Sequence, residues 1–275
     1  MKCKLQGALT LVLMYTLLFT SCQKNADVSD SGSLGQTVAD DARNLDKVNT
    51  FKGPQIKVGQ GKMRSFVKIN HAGVPQEFGI EMTASSLDGL PADHMEVTYD
   101  LPLHQKVKDV TAFDHLQIGW NPHGHPPPGI YSLPHFDIHY YMINKQQQMS
   151  IPPYTPQTAA LFDNFPPAGY LPEDYIPFPE GVPQMGKHWG DRTSPELNGQ
   201  VFTKTFLYGT YDGDVIFYEP MVTRAYLQST NSSTADIKQP QHFSPTNTYY
   251  PTKYNVYTSL TTGNYYVSLS HFVLR

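Results

Sequence analysis

The chain has 275 residues with 24 acidic and 20 basic side chains, and its formal net charge at pH 7 is −4. A mildly acidic chain without a cluster of lysines and arginines argues against nucleic acid as a partner. The 18 tyrosines, 14 phenylalanines and 23 prolines favour strands and fixed loops over helices. No repeat recurs at a fixed period, which argues against a solenoid or a propeller.

Residues 1–21 have the features of a secretory signal peptide. Two lysines precede an apolar run over residues 9–19, which is too short to be a comfortable membrane span. Because Cys22 follows small residues, the segment resembles a lipoprotein signal, in which Cys22 becomes the lipidated first residue. The alternative is an ordinary cleaved signal. The resemblance to Gram-negative lipoproteins implies, from Gln23 after Cys22, the outer membrane, periplasmic or surface-facing. Removal of Cys3 with the signal leaves no pair for an intramolecular disulfide.

The segment after the signal, residues 22–50, is polar and poor in aromatic residues, so we predict a flexible tether behind the lipidated cysteine. Residues 51–275 are predicted to form a single β-rich domain. Alternating or nearly alternating apolar residues predict strands over 56–59, 64–69, 78–83, 97–103 and 115–120. A further strand follows Pro134.

The second half of the chain begins with a proline-rich excursion. Nine prolines between residues 152 and 183 exclude a long helix or a central strand, and interleaved aromatic residues predict an ordered segment packed on the sheet, with a short helix near 158–164. An Asp-Gly turn at 212–213 then separates two aromatic runs and predicts a hairpin, and a second hairpin spans 253–273. Hairpins at this spacing predict an all-β, antiparallel sandwich or barrel-like fold.

The strongest chemical signal is the stretch from Gly119 to Ile143, which holds four of the 11 histidines. His123 and His125 lie two residues apart in a Pro/Gly loop. On extended backbone they would point the same way with Cα atoms about 7 Å apart, so both imidazoles could reach one metal ion.

The strand after this loop carries His135, Asp137 and His139 on one face and apolar residues on the other. His135 and His139 lie about 13 Å apart along a regular strand, too far for one ion. The Asp137 side chain can meet that of either His135 or His139, as a second ligand of one ion or as the hydrogen-bond acceptor that fixes the histidine tautomer.

Two more candidates come from distant parts of the chain. His188 stands beside Trp189 in a predicted loop at the end of the proline-rich excursion, and Glu219 lies in an aromatic strand, where a carboxylate is costly to bury unless it is paired or bound to metal. Imidazole with carboxylate suits zinc best among divalent metals. The predicted metal ligands are His123, His125, His135, His139 and His188. The alternative for the same residues is a structural hydrogen-bond network.

Several motifs occur together and in a fixed order. They are Trp120–His125, Pro134–Met142, Met185–Trp189, Ser194–Gly199, Tyr208–Gly213 and Phe217–Met221. In this combination the chain resembles a family of exported prokaryotic proteins, a TTHB-type domain of unknown function with a Thermus prototype. The resemblance implies one domain rather than two and marks the five histidines and Glu219 as the motif positions. It implies no activity.

These observations predict a lipid-anchored protein of the cell envelope with a histidine-rich site that binds a divalent metal, with the membrane as partner through Cys22. One alternative is a metal-dependent hydrolase of a small ester, amide or lactone, with Glu219 or Asp137 as general base. Another is a non-catalytic binding or structural protein that forms a homo-oligomer. Carbohydrate binding through exposed aromatic residues is a further candidate.

Overall fold

The computed structural model describes residues 47–93 and 96–275, and in these residues 14 strands form two sheets. The first six strands are β1 (Val48–Lys52), β2 (Ile56–Val58), β3 (Gly61–Asn70), β4 (Pro75–Met82), β5 (Val97–Leu101) and β6 (His115–Asn121). The next four are β7 (His135–Tyr141), β8 (Tyr175–Val182), β9 (Gly186–Asp191) and β10 (Lys204–Tyr211). The last four are β11 (Asp214–Thr223), β12 (Ser232–Asp236), β13 (Tyr249–Thr258) and β14 (Tyr265–Leu274).

Within residues 47–93 and 96–275, helical structure is confined to short connections. The α-helices are α1 (Gln105–Val110), α2 (Lys145–Ser150), α3 (Ala159–Phe162) and α4 (Arg224–Ser229), and single 3₁₀ turns occupy Ala84–Leu87 and Glu196–Asn198. The short helix predicted near 158–164 is α3. No helix in the described part of the chain is long and apolar enough to cross a membrane.

Both sheets are antiparallel and have seven strands. The first has the order β1-β3-β4-β14-β13-β12, with β2 paired to β3, and the second has the order β5-β6-β7-β11-β10-β9-β8. The predicted all-β class is confirmed, and of the two predicted architectures the sandwich fits, because neither sheet closes into a barrel over the described residues.

One hydrophobic core joins the two sheets. The Phe78 ring on β4 packs edge-on against the Tyr140 ring on β7, with 5.2 Å between the centroids, and both side chains are fully buried. Ile138, on the same face of β7, lies in this core as well. Each such side chain contributes about 1.5–3 kcal/mol by leaving water. The face of β7 that carries Phe136, Ile138 and Tyr140 is therefore the inner face of the second sheet.

The Asp-Gly hairpin is confirmed. Asp212 and Gly213 have φ of 48° and 88°, the positive values that a two-residue hairpin turn of this type requires, and Tyr211 pairs with Asp214. The hairpin predicted over 253–273 is also present, as β13 and β14.

Several expectations need correction. Strand β1 takes up residues 48–50, which we assigned to the tether, and β12 was not predicted at all. His188 lies in a strand, β9, where we predicted a loop. The proline-rich excursion contains a strand, β8. Prolines are excluded from central strands but tolerated at the edge of a sheet, and β8 is the edge strand of the second sheet. The predicted signal peptide and Cys22 lie outside the described residues.

Candidate metal centre

The candidate site lies on the outer face of the second sheet, the face turned away from the first sheet. Side chains alternate between the two faces of a strand, so the burial of Phe136, Ile138 and Tyr140 in the core sends His135, Asp137 and His139 to the outer face. These three polar side chains are nevertheless at most 4 % exposed. Other parts of the chain must therefore cover them.

Pairing between strands brings Glu219 to the same place. In the register of β7 and β11, Phe217 is opposite Tyr141 and Met221 is opposite Asp137, which sets Glu219 opposite His139. Strand β10 separates β11 from β9, on which His188 lies. The site thus uses three strands of one sheet, β7, β9 and β11.

The donor atoms separate into two groups of three residues. We call His125, His135 and Asp137 the Asp137 group, and His139, His188 and Glu219 the Glu219 group. Within each group, one ligand atom from every residue lies within 4.8 Å of the other two. As the strand spacing predicts, His135 and His139 fall into different groups.

Backbone carbonyl groups fix both histidine tautomers in the Asp137 group. The Nδ1 atom of His135 lies 2.6 Å from the Leu133 carbonyl oxygen, and the Nδ1 atom of His125 lies 2.7 Å from the Pro126 carbonyl oxygen. A carbonyl oxygen can only accept a hydrogen bond, so each Nδ1 carries the proton and donates it. In the neutral rings, the Nε2 atoms then hold free lone pairs.

Both Nε2 atoms face the same carboxylate. His135 Nε2 lies 3.1 Å from Asp137 Oδ1 and His125 Nε2 lies 3.2 Å from Asp137 Oδ2, while Asn121 donates a hydrogen bond of 2.7 Å to Oδ2. Lone pairs on neutral imidazoles repel a carboxylate. The arrangement requires protons or a cation between these atoms, and donation of the second ring nitrogen to a carbonyl is the usual setting of a metal-bound histidine.

The Glu219 group has a different environment, with fewer polar partners. The His139 Nε2 to Glu219 Oε1 and His188 Nε2 to Glu219 Oε2 distances are both 3.4 Å, longer than a normal hydrogen bond between these atoms. Neither ring nitrogen of His139, nor Glu219 Oε2, has a hydrogen-bond partner among the described residues. Aromatic rings hold the histidines in place instead, with the Phe217 ring centroid 4.9 Å from that of His139 and 5.2 Å from that of His188.

The pKa values of the side chains also differ between the two groups. Although burial acts to lower it, the Asp137 carboxylate raises the pKa of His125 to about 9, and the two histidines hold the pKa of Asp137 below its usual range against the effect of burial. In the Glu219 group, burial lowers the pKa of His139 to about 4 and that of His188 to about 3. Burial, followed by repulsion from Asp137, raises the pKa of Glu219 well above its usual value.

Both groups open into one cavity of about 520 Å³. Its walls come from the histidine loop and the proline-rich excursion, including Pro126, Pro127, Pro128, Phe178 and Pro179. Two further carboxylates, Glu96 and Glu180, also line it. The cavity is therefore apolar along its sides, acidic at the two added carboxylates, and rich in nitrogen and oxygen ligands at its base.

His123 does not join the site. It is exposed and belongs to neither group, although the loop pattern predicted that it would act with His125. The extended backbone assumed in that prediction is wrong, because Gly124 between them has a φ of 70° and turns the chain. The other four predicted ligands and both predicted carboxylates lie in the two groups.

Sequence reasoning missed two residues. Asn121 ends β6 opposite His135 and donates to Asp137, which only the strand register reveals. Glu96 reaches the cavity across Gly119, where an added Cβ would lie 2.5 Å from Glu96 Oε1. The glycine inside a buried strand was the available signal for a close approach of this kind.

Residues 70–120 match the model of a protein family described as "TTHB210-like: Hypothetical protein TTHB210". The match confirms the predicted resemblance to this family with a Thermus prototype over those residues, which include β4 to most of β6. Comparison with curated proteins and with solved structures found no match.

Proposed function

We propose that this protein binds a divalent transition metal ion at the Asp137 group, with zinc as the best-suited ion. The observation that supports this most is the fixed tautomer of both histidines: each donates Nδ1–H to a backbone carbonyl and turns Nε2 to one carboxylate. Two imidazole nitrogens and one carboxylate oxygen form a ligand set common in zinc sites with one open position. Asn121 orients the carboxylate as an outer partner.

The rival for this group is a metal-free network in which His125 is an imidazolium paired with Asp137. That rival accounts for one of the two histidines but leaves the His135 Nε2 and Asp137 Oδ1 atoms, 3.1 Å apart, without a proton between them. A second imidazolium would fill that gap, at the cost of burying a net positive charge. A metal ion satisfies both contacts at once.

The test is elemental analysis of the purified mature protein without a histidine tag. We expect at least one equivalent of metal per chain, a loss of one equivalent in Asp137→Asn and in His135→Gln, and no loss in His123→Ala. His123 is the matched control because it lies in the same loop as His125 but is exposed and outside both groups. A chain that holds no metal after incubation with zinc, copper, manganese and iron would refute the proposal and leave the hydrogen-bond network.

The cavity supports a second candidate, metal-dependent hydrolysis of a small ester, amide or lactone. A space of about 520 Å³ with apolar walls beside the ligands can hold the organic part of such a substrate. A metal at the Asp137 group would supply a Lewis acid. Because Asn121 donates to Asp137 and an imidazole nitrogen lies within 3.2 Å of each Asp137 oxygen, Glu219 is the better candidate for the general base.

Activity and metal binding can be separated for this candidate. We expect chelation to abolish hydrolysis of aryl esters or lactones, and Glu219→Gln to abolish it while the Asp137 group keeps its metal. A metal-loaded protein that hydrolyses none of a panel of esters, amides and lactones would favour the non-catalytic binding or structural role instead.

The proposed cellular setting is the envelope, with the domain anchored through lipidated Cys22. The support is the signal-like sequence before Cys22 and the polar segment after it. Radiolabelled palmitate should enter the wild-type protein in cells, and Cys22→Ser should lose both the label and the membrane fraction. Label retained in Cys22→Ser would refute the anchor.

A further inference from the structure

The Glu219 group, His139 with His188 and Glu219, contains deeply buried polar atoms without hydrogen-bond partners beside the cavity. Glu219 and His139 are each 1 % exposed, and Glu219 Oε2 and both ring nitrogens of His139 have no hydrogen-bond partner within the described residues. A polar group buried without a partner costs several kcal/mol. The Asp137 group next to it does not relieve this cost, because its Nδ1 donors are engaged with backbone carbonyls and its Nε2 atoms face Asp137.

The distances in this group match ion coordination better than hydrogen bonding. In a tetrahedral zinc site with bonds of about 2.1 Å, neighbouring ligand atoms lie about 3.4 Å apart. The distances from His139 Nε2 to Glu219 Oε1 and from His188 Nε2 to Glu219 Oε2 are both 3.4 Å, so each carboxylate oxygen stands at a ligand-to-ligand distance from one imidazole. A direct hydrogen bond between such atoms would bring them to about 2.9 Å.

The aromatic surroundings hold these ligands in place without binding them. The His139 ring stacks on Tyr141 at an interplanar angle of 16° and meets the Phe217 ring edge-on, and His188 also contacts Phe217 edge-on. Rings packed in this way fix the side-chain orientation and leave the nitrogen atoms free. The ligands are therefore oriented before any ion binds.

We propose that the Glu219 group is a second divalent-metal site, so that the protein holds two metal ions in one cavity. Asp137 and His139 are alternate residues on the outer face of β7, with Cα atoms about 7 Å apart. Residues of both groups line the same cavity. This inference extends the proposed function, since it adds a site to the one at the Asp137 group.

A second ion changes the part that Glu219 plays. As a ligand, Glu219 lowers the net charge of the bound cation and is no longer free to act as a general base. Two cations at one cavity attract negative charge, so such a cavity suits ligands with an anionic, oxygen-rich polar end. The apolar walls near Pro127 and Phe178 would contact the rest of such a ligand.

The test is a titration of the metal-free mature protein with Co²⁺, followed by visible absorption of the bound ion and by elemental analysis after removal of excess metal. The wild type and His123→Ala should take up two equivalents per chain. Glu219→Gln and His188→Gln should each take up one, retained at the Asp137 group, and Asp137→Asn should also take up one. His188→Gln guards against a folding defect in Glu219→Gln, because the His188 side chain is 13 % exposed and tolerates polar replacement more readily.

The outcomes distinguish this inference from the proposed function. One equivalent in the wild type that persists in Glu219→Gln overturns the second site and leaves the first intact, with Glu219 available as a base. One equivalent that is lost in both Asp137→Asn and Glu219→Gln means a single shared ion and also overturns the second site. No uptake overturns both proposals.

Discussion

The outer faces of the two sheets each bury one glutamate, and the two residues have opposite surroundings. Glu81, on β4 in the first sheet, is 5 % exposed and Glu219, on β11 in the second, is 1 % exposed. Glu81 accepts hydrogen bonds from Arg64 at 2.7 Å, Lys52 at 3.1 Å and Tyr266 at 2.9 Å. Among the described residues, the ion-pair partners of Glu219 are two histidines, which supply no fixed positive charge.

The difference appears in the pKa values. Burial acts to raise the pKa of Glu81, yet Arg64 and the other donors lower it to about 2. Burial of Glu219 meets no such compensation, and its pKa rises well above the usual value. Burial alone therefore does not distinguish a structural carboxylate from a candidate ligand; the presence or absence of a neighbouring cation does.

The largest expected difference between the two glutamates comes from replacing each by its neutral isostere in the metal-free protein. Glu81→Gln leaves Arg64 and Lys52 without their counter-charge and should lower the free energy of unfolding by about 2 kcal/mol, because both cations are partly exposed to water. Glu219→Gln removes no cation partner and relieves the burial of a carboxyl group whose pKa is raised, so at pH 7 it should increase the free energy of unfolding of the metal-free protein. Urea denaturation at pH 7 measures both. Equal losses would show that the two carboxylates are structurally equivalent.

A metal ion should give the second sheet the charge compensation that the first already has. At a free zinc concentration a hundredfold above Kd, each occupied site stabilises the folded protein by about 2.7 kcal/mol. Glu81→Gln should gain as much from zinc as the wild type, because Glu81 lies on the other sheet, whereas Asp137→Asn should gain less. Thermal unfolding with and without zinc measures the gain, and an unchanged Tm in the wild type would contradict it.

Stability should depend on pH with opposite signs at the two glutamates. For Glu81, with a lowered folded pKa, the contribution is complete above the ordinary value of 4.5 and is lost as the pH falls to about 2. For Glu219, with a raised folded pKa, metal-free wild type should lose stability relative to Glu219→Gln as the pH rises above 4.5. Each slope reaches at most about 1.4 kcal/mol per pH unit. Denaturation across pH 2–7 measures the slopes, and slopes of the same sign would contradict the comparison.

The smallest expected effect concerns two glycines in the histidine loop. Gly124 and Gly129 have φ of 70° and 80°, so alanine at either position adopts the left-handed region at a cost of about 1–2 kcal/mol. Only at Gly124 would the new Cβ meet backbone, 2.0 Å from the Tyr131 carbonyl oxygen, while Gly129 faces open space. Gly124→Ala should therefore shift His125 and weaken zinc binding about 10- to 100-fold. Calorimetric titration measures the affinity, and equal affinities in the two variants would contradict this account of the loop.

Local patterns were sufficient to name all six residues of the two groups. The period-2 alternation after Pro134 placed His135, Asp137 and His139 on one face, and the rarity of a carboxylate in an aromatic strand marked Glu219. The Asp-Gly turn was also predictable from the sequence, because two residues determine its backbone geometry. Each of these signals lies within a few residues of the structure that it specifies.

The division into two groups was not predictable in this way. It depends on β7 lying beside β11 and on the register that sets His139 opposite Glu219, a pairing across about eighty residues of chain. The prolines concealed β8 and β9, and the left-handed Gly124 separated His123 from His125. Non-local pairing and backbone turns in loops leave little trace in hydrophobic periodicity.

Strand β8 has a consequence for how this molecule meets other copies of itself. It is the edge of the second sheet, yet Pro177 and Pro179 cannot donate backbone hydrogen bonds, and Pro179 is also part of the cavity wall. Prolines at an edge block strand-by-strand aggregation. A substitution that widens the cavity at Pro179 would therefore restore a backbone donor and invite intermolecular β-pairing, so solubility and ligand access are coupled through one residue.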